Sequence, residues 1–419
     1  MSGRRLRITV IGVNYAPEAS GNAPYTTALA EGLAARGHRV TVLTGYPHYP
    51  QWRVRDGYTG SSMEETIGGV TVKRLRHYVP SHPTNLRRAL MELSFGLRTV
   101  ACGWGNPDVV LFVSPALIST ACGLVRARLG RTRSAVWVQD LYSLGAVETG
   151  TTPGAVARVL AALESRTLSM AHRTVAIHER FRRHICSRFG VPAARVEVVR
   201  NWTHLDDGAP LPEVDAVRRS MGWAEDDIVV LHAGNMGVKQ GLENVVKAAS
   251  LASAHDSPVR FVLLGDGNQA TKLNALGGSV PRLSFADPVD DGAFQGVLAA
   301  ADILLVNELP GVAGMSVPSK LTSYFNSGRP VLAATDAGST TACELEESGG
   351  GLRVEAGEPG QLLEAAERLG RDPELGERLG DAGLAYRRDN LEAAGAVARF
   401  EELLATLASG EPAPAVLQH

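Results

Sequence analysis

Short apolar runs alternate with amphipathic stretches along most of the chain. In the first half, the apolar runs predict strands at 8–13, 40–43, 70–75, 109–113, 135–138, 173–177 and 196–199. Between the first two runs, segment 24–35 carries Leu29 and Leu33 four residues apart and ends before Gly37, which predicts a helix. Strands that alternate with helices form parallel βαβ units, so this half is predicted to be a doubly wound α/β sheet.

The second half repeats this alternation. Strands are predicted at 228–232, 260–264, 282–285, 303–306, 331–334 and 352–354, and helices at 242–252, 293–300, 359–369, 373–389 and 391–407, with another beginning near Gln269. Thr341 and Glu344 have the spacing of a capping box, which predicts the start of a further helix. The polar, turn-rich segment 200–212 is the natural domain junction. We therefore expect two Rossmann-like domains, facing each other across a cleft.

The predicted boundaries are 1–202 for an N-terminal Rossmann-like domain and 203–389 for a C-terminal one. A helix at 390–408 and a disordered tail at 409–419 follow. A chain of 419 residues is too long for one ordinary core, which supports this division.

Composition and charge narrow the function classes. The net charge of −2 gives no attraction for nucleic acid, and aromatic residues at 5% argue against a platform that stacks single-stranded bases. The four cysteines are far apart and lack metal-ligand spacing, so we expect a reducing compartment and no metal site.

The chain is expected to be soluble and cytoplasmic. Its basic N-terminus is followed by only the short apolar run 8–13, which fits a first strand and not a signal peptide. Segment 109–125 is interrupted by polar residues and is shorter than the ~20 residues that span a bilayer. The motif Gly-x-Gly-x-x-Gly is missing after the first strand, which argues against an enzyme that uses nicotinamide or flavin. No cofactor is predicted.

The stretch 302–338 carries the strongest candidate chemistry. It opens with a strand, passes through a loop rich in Gly, Pro and Ser, and predicts a helix from about Pro318. Proline suits a first helical turn, so Ser319 and Lys320 fall at the positive end of the helix dipole, where backbone N–H groups bind anions. A lysine is unfavourable there unless an anion is bound, which predicts a diphosphate site. An exposed lysine without a task is the alternative.

Three glycine-bearing loops follow predicted strands, at the carboxyl ends where ligands bind in such sheets. One is the loop of the stretch 302–338, and the others are the segment 20–24, which holds Gly21 and Asn22, and the loop 234–241 after the first strand of the second half. The strand after that ends in Gly-Asp-Gly at 265–267. The glycines, amides and Lys239 of loop 234–241 suit a diphosphate. A tight turn with a solvated lysine is the alternative.

Two further strand ends carry polar or aromatic side chains. Asp140 ends a buried strand, where its carboxylate either accepts bonds from sugar hydroxyls or forms a turn. Tyr46, His48 and Tyr49 follow another strand, and their rings suit stacking on a sugar. Histidine is a residue type suited to chemistry at neutral pH, which makes His48 a candidate, although a histidine in a loop is often only exposed.

Five segments carry a resemblance to a known family. VNYAPEASGNAPYTTALAEGLAARGHRVTVLTGYPHYP, VQDLY, GNMGVKQGL, LLGDG and PSKLTSYFNSGRPV occur in one order. Together they resemble the GT-B glycosyltransferases of retaining family four, most closely the branch that transfers aminosugars in capsule, colanic-acid and O-antigen assembly. The resemblance covers about residues 6–405.

The resemblance implies a nucleotide-sugar donor bound mainly by the C-terminal domain and a glycoconjugate or small-molecule acceptor bound by the N-terminal domain. It also implies a last helix that returns to the first domain, no metal, and net retention at the anomeric carbon. The leaving diphosphate would help to deprotonate the acceptor hydroxyl, so catalysis would be mostly positioning and stabilisation of charge.

The candidate site residues then fall into three groups. The catalytic candidates are Lys320, Lys239 and Asp140. The donor-binding candidates are Gly21, Asn22, Asn235, Gly237, Gln240, Gly265, Asp266, Pro288, Val317, Pro318, Ser319, Leu321 and Ser323. The acceptor-binding candidates are Tyr46, His48 and Tyr49, and no residue is assigned to a metal.

The sequence departs from the family pattern at four positions. The wider family has two glutamates eight positions apart, which fall here on Met315 and Ser323. Its phosphate-binding Arg and Lys in the glycine loop fall on Asn235 and Gln240. The missing glutamates motivate an alternative, a catalytically silent partner that binds nucleotide-sugar or regulates another transferase. A GT-B sugar-nucleotide epimerase is a third candidate, but its acid/base carboxylates are lacking.

Residues 85–102 predict an amphipathic helix. Leu86, Leu90, Leu93 and Leu97 recur at helical spacing, accompanied by Arg87, Arg88 and Arg98. The pattern suits a helix at a membrane surface, which a lipid-linked acceptor would require. An ordinary helix that packs its apolar face on the core is the alternative.

Overall fold

The computed structural model describes residues 4–18, 21–143, 154–203, 211–311 and 319–410. The chain divides into two compact units, Met1–Trp202 with Ala393–His419, and Thr203–Glu392. Each unit is built on one sheet with helices connecting its strands. The prediction of two parallel α/β domains is confirmed.

The first unit contains a sheet in the order β3-β4-β2-β1-β5-β6-β7-β8. Its strands are β1 (Arg7–Ile11), β2 (Arg39–Gly45), β3 (Ser62–Ile67), β4 (Val70–Leu75), β5 (Val109–Ser114), β6 (Arg133–Val138), β7 (Arg173–Ala176) and β8 (Val196–Val198). Its helices are α1 (Ala23–Ala35), α2 (Asn85–Ala101), α3 (Leu117–Leu129), α4 (Gly154–Met170) and α5 (Glu179–Phe189). The parallel register aligns Ile8 with both Val40 and Val109. The side chains of these central strands are buried on both faces of the sheet, as is usual for parallel strands.

The strand β3 was not predicted from the sequence, and it pairs antiparallel with β4. Most of its side chains are exposed, so it lacks the apolar run that marks the other strands. Gly68 and Gly69, both with positive φ, form the two-residue turn between the paired strands. This is the conformation that a tight hairpin requires, and the Gly-Gly pair was the available signal.

The second unit contains a sheet in the order β11-β10-β9-β12-β13-β14, in which each neighbouring pair is parallel. Its strands are β9 (Ile228–Ala233), β10 (Val259–Leu264), β11 (Leu283–Ala286), β12 (Ile303–Asn307), β13 (Val331–Ala334) and β14 (Gly351–Val354). Its helices are α6 (Val214–Ser220), α7 (Glu243–Ala254), α8 (Ala270–Gly277), α9 (Asp291–Ala300), α10 (Ser319–Asn326), α11 (Thr340–Ser348), α12 (Pro359–Arg371) and α13 (Pro373–Asn390). One buried apolar cluster lies on each face of the sheet.

The last helix, α14 (Ala393–Ser409), belongs to the first unit. Phe400 packs edge-on against Trp137 of β6 with ring centroids 4.8 Å apart, and Trp137 stacks on Trp202. Gly32 of α1 lets Val397 approach closely, because a Cβ at Gly32 would lie 2.8 Å from a Val397 methyl group. These contacts bury the apolar face of the helix and hold it on the first unit. The tail predicted at 409–419 lies almost entirely outside the described residues.

The predicted capping box at Thr341 is wrong. The helix α11 begins two residues earlier, where the Ser339 hydroxyl accepts a hydrogen bond from the Ala342 backbone N–H at 2.9 Å. Thr341 lies in the first turn and donates its hydroxyl to Glu308. Within the described part of the chain, no helix is long and apolar enough to cross a bilayer.

Candidate functional site

Two of the predicted loops meet at the carboxyl end of the second sheet. Loop 234–241 follows β9 and loop 265–267 follows β10. The Gly234 N–H donates to the Leu264 carbonyl at 2.8 Å, and the Met236 N–H donates to the Asp266 carbonyl at 2.8 Å. A Cβ at Gly265 would lie only 2.1 Å from the Gly234 carbonyl oxygen, so glycine is required for this backbone-to-backbone approach.

Lys320 brings the third predicted element to the same place. It is the second residue of α10, and its Nζ lies 2.7 Å from His232 Nε2 at the end of β9. The Lys320 side chain also covers Gly234, because a Cβ there would lie 3.4 Å from Lys320 Cε and 3.5 Å from its Nζ. Lys320 is therefore half-buried and has a side-chain partner, whereas the alternative reading expected an exposed lysine.

Burial changes the charge of this lysine. It lowers the pKa of Lys320 from its ordinary value of 10.5 to about 7. The amine is therefore partly neutral near pH 7, and a bound anion beside it would favour the charged form. The geometry makes Lys320 a cation that can respond to an anion at the glycine loop.

His232 is a site residue that the sequence reasoning missed. It is fully buried, and burial together with the nearby Lys320 cation lowers its pKa well below the ordinary range. The hydrogen bond between His232 Nε2 and Lys320 Nζ fixes the direction of the lysine side chain. The signal was a histidine in an otherwise apolar strand, two residues before the glycine loop.

Two buried amides hold the far end of loop 234–241. Asn307, at the end of β12, donates from Nδ2 to the carbonyls of Gln240 at 2.7 Å and Gly241 at 3.0 Å. Its Oδ1 accepts from Asn244 Nδ2 at 2.9 Å. These side chains were not predicted, because the bonds join residues more than sixty positions apart. They make the loop a fixed part of the sheet edge.

The predicted residues of this loop differ in their availability. The side chain of Asn235 and that of Lys239 are exposed. The Gln240 side chain accepts from the Gly237 N–H at 3.0 Å and so closes the loop. Asp266 is also exposed, and its Oδ1 accepts from the next backbone N–H at 2.7 Å. Gln240 therefore has a structural bond that the sequence did not show.

The remaining donor candidates, on α10 and nearby, differ in how exposed their side chains are. Leu321 is 2% exposed and packs in the core of the second unit, so its side chain does not reach the surface where a donor would bind. Ser323 is half-buried on the same helix, and Pro288 is exposed after β11. Ser319 begins the helix, whereas Val317 and Pro318, like Met315, lie outside the described residues.

Glu308 is a further residue that was not predicted from the sequence. It follows β12, and its oxygens accept from the hydroxyls of Thr335 and, at 2.5 Å, Thr341. Thr335 Oγ1 also lies 2.7 Å from the Ser339 hydroxyl that caps α11, within hydrogen-bond distance. The carboxylate therefore links the ends of β12 and β13 to the start of α11.

In the first unit, the loop after β1 is organised by Glu18. This buried carboxylate accepts from the backbone N–H groups of His48 at 2.7 Å and Tyr49 at 2.8 Å. Gly21 has a φ of +66° and lies beside the Tyr49 ring, and Asn22 donates to the Ser114 carbonyl at 3.4 Å. The loops after β1 and β2 are thus joined, as their candidate roles require.

Two acceptor candidates in this region are corrected by their burial. Tyr46 is 1% exposed and donates its hydroxyl to the Thr59 carbonyl at 2.6 Å, so its ring offers no face for stacking. His48 is also buried, and its Nδ1 lies 2.9 Å from the Tyr46 carbonyl. Its ring packs edge-on against His77. Of the three predicted residues, Tyr49 alone is exposed.

Asp140 lies at the end of β6 in a group of carboxyl side chains. It is half-buried, and its Oδ1 accepts from the Leu141 N–H at 2.8 Å, which is the bond expected of a turn. Nearby, Glu164 accepts from the backbone of Tyr142 at 2.9 Å, and the Tyr142 hydroxyl donates to Glu92 at 2.9 Å. Burial raises the pKa of Glu92 to about 7 and also raises that of Glu164.

Across the described ranges, no group of three His, Cys, Asp or Glu side chains is arranged to hold a metal ion. The chemistry assembled in the second unit is that of an anion site. It consists of two interlocked glycine loops, a helix that begins beside them and a half-buried lysine.

Comparisons with known proteins give matches to both halves of the chain. Residues 20–202 match the model of the glycosyl transferase 4-like domain, and residues 227–372 match that of the glycosyl transferases group 1. The chain is 31% identical over 340 residues to the putative colanic acid biosynthesis glycosyl transferase WcaI of Escherichia coli (strain K12). The match covers 77% of this chain and 82% of WcaI.

Solved structures resemble the whole fold. Sucrose-phosphate synthase from Thermosynechococcus elongatus has a TM-score of 0.76 at 16% identity, over 97% of this chain and 100% of that one. Anabaena HepE, solved in complex with UDP, has a TM-score of 0.71 at 14% identity, over 96% of this chain and 100% of that one. At these identities the likeness shows the fold alone.

Proposed function

The chain belongs to the group 1 glycosyltransferases, and from this premise we propose that it transfers a sugar from a nucleoside-diphosphate donor to a hydroxyl of a glycoconjugate or small-molecule acceptor. We propose further that transfer retains the anomeric configuration and needs neither metal nor cofactor. The sugars to be tested include N-acetylated ones. The proposed setting is the cytoplasm, with peripheral contact at the inner face of the plasma membrane.

The observation that carries this proposal is the position of Lys320. Its ammonium covers Gly234, beside a helix start and two loops whose backbones are fixed against each other. A diphosphate at this point would meet a positive charge and the backbone N–H groups of a helix N-terminus, both of which stabilise phosphate oxygens. The donor is therefore assigned to the second unit.

The chemical role of this site follows from charge development. As the bond between the sugar and the diphosphate breaks, negative charge grows on the leaving phosphate oxygens. A cation and dipoles that already point at those oxygens lower the barrier without rearranging, and in this scheme they replace a metal ion. The leaving diphosphate would then accept the proton of the acceptor hydroxyl, which keeps acceptor and leaving group on one face of the sugar.

The first unit is proposed to bind the acceptor. Tyr49 offers an exposed ring, and Asp140 supplies a half-buried carboxylate at a strand end. Glu18 fixes the Tyr49 backbone, which limits how far this ring can move. The corrected roles of Tyr46 and His48 leave Tyr49 as the residue to test first.

The test is a transfer assay with purified protein, a panel of UDP-, GDP- and dTDP-sugars, and detection of both released nucleotide and sugar product. The proposal expects nucleotide release that depends on acceptor, persists in chelator and gives a product with the donor's anomeric configuration. Donor binding without turnover on any acceptor would instead support a catalytically silent partner. Inversion at C2 of the donor sugar would indicate an epimerase.

A further inference from the structure

The helix α2 has an apolar face that points away from the core. Met91, Phe95 and Thr99 are buried against the unit, as a core-packing helix requires. A second set of apolar side chains is exposed: Leu86 at 72%, Leu90 at 47%, Leu93 at 39%, Leu97 at 58% and Val100 at 38%. These five positions fall within an arc of about 80° at 3.6 residues per turn. We call them the α2 stripe.

The stripe answers a question that the sequence left open. If the leucines of this helix packed on the core, they would be buried, and they are not. The apolar exposure continues on α3, which packs beside α2 and exposes Val125 and Leu129. Exposed apolar side chains concentrated on one face of a helix mark a site of contact with another apolar phase.

The charges around the stripe select the partner. Arg87, Arg88 and Arg98 are exposed on α2, and the one acidic residue of this helix, Glu92, is buried. Every exposed charge on the helix is therefore positive. A second copy of the chain docked stripe to stripe would set arginines against arginines, whereas an anionic partner would neutralise them.

A cavity of about 1030 Å³ adjoins the stripe on its arginine side. Leu97 and Arg98 line it from α2, together with Trp52, Arg76 and Tyr78 from the loops after β2 and β4. Exposed arginines suit phosphate groups, and Trp and Tyr rings suit the boundary between headgroups and acyl chains. The cavity has the chemistry of a phospholipid headgroup site.

We propose that the α2 stripe and this cavity dock the chain on the surface of an anionic phospholipid bilayer. The leucines would enter the boundary of the acyl chains, while the arginines bind lipid phosphates in the headgroup layer. The inference deepens the proposed function, since it names the surface through which a transferase would approach a lipid-linked acceptor. Binding itself needs neither donor nor acceptor.

The test is co-sedimentation of the full chain with vesicles of phosphatidylglycerol and phosphatidylcholine, and with phosphatidylcholine alone. We expect binding to the anionic vesicles that weakens as salt is raised. The double variant L90S/L97S should bind about 10-fold less, because both leucines leave the apolar boundary. The double variant R87A/R98A should lose a similar factor of about 10, because each arginine contributes to attraction by the surface charge.

A matched control is available in the second unit. Leu211 and Leu276 are exposed at 53% and 54%, close to the two leucines of the stripe, so L211S/L276S should bind vesicles as wild type does. All four positions are exposed, and circular dichroism should show unchanged folding in both variants. Donor affinity, measured without lipid, should stay at its wild-type value in every variant, which separates this inference from the proposed function.

Three results would overturn the proposal. One is wild-type binding that does not depend on the anionic lipid. Another is L90S/L97S that binds vesicles as tightly as wild type. The third is a wild-type protein that does not bind vesicles and is a dimer in solution, together with an L90S/L97S variant that is a monomer. That result would assign the stripe to a second copy of the chain.

Discussion

Replacing Lys320 by methionine removes the charge while keeping an unbranched side chain. A charge-assisted hydrogen bond to a phosphate contributes about 1.5–3 kcal/mol, so the variant should bind a nucleotide-sugar roughly 10- to 100-fold more weakly. The maximal rate should fall as well, because the interaction strengthens when the diphosphate leaves. Isothermal titration calorimetry gives the affinity, and a coupled assay of released nucleotide gives the rate.

The pH dependence of binding is a second and sharper readout. Lys320 has a lowered pKa of about 7, so the free protein loses the charged form as pH rises above 7. Each phosphate of a nucleotide-sugar is a diester, so the ligand keeps its charge over this range. The charged fraction falls from about one half at pH 7 to about 3% at pH 8.5, so wild-type affinity should fall about 15-fold between them.

The matched control is Lys247→Met, which removes an exposed lysine of α7. This variant should keep both the affinity and the pH slope of wild type, whereas Lys320→Met should bind weakly with no slope. Wild-type binding that is flat between pH 7 and 8.5 would show that Lys320 does not change its charge at the site. Wild-type affinity in Lys320→Met would remove this lysine from the donor site altogether.

Three further changes test other parts of the molecule. Glu18→Ala leaves the N–H groups of His48 and Tyr49 without their carboxylate acceptor and should lower the free energy of unfolding by about 3 kcal/mol, measured in urea; an unchanged free energy of unfolding would show that these loops do not depend on Glu18. Asn307→Ala frees the end of loop 234–241 and should weaken donor binding several-fold by calorimetry, whereas unchanged binding would show that the loop needs no such support. Ser323→Glu restores the side chain common in the family and should leave donor binding in place; its complete loss would mean that the alignment to the family glutamates is wrong.

The sequence predicted the central elements because their patterns are local. A strand, a glycine loop and a helix with a lysine in its first turn are all predicted from neighbouring residues. The strands β9 and β12 begin at the predicted positions, and α10 begins one residue after Pro318. The edge strand β3 escaped because its side chains are exposed. Apolar periodicity identifies buried strands and misses those at a solvated edge.

The side chains that complete the site depend on contacts between distant parts of the chain. His232 and Lys320 are 88 positions apart, and nothing local to either residue predicts their bond. Tyr46 and Leu321 illustrate the opposite failure, because each has a residue type and position that suit a ligand but is buried in its unit. Burial is set by tertiary packing, which a single sequence does not give.

The most direct test of the central claim is a crystal structure of the protein with a bound nucleoside diphosphate. We expect phosphate oxygens next to Gly234 and within about 3 Å of Lys320 Nζ, which is the distance of a charge-assisted hydrogen bond. Diphosphate density in the first unit, or a Lys320 that makes no contact with a diphosphate bound elsewhere in the second, would contradict it.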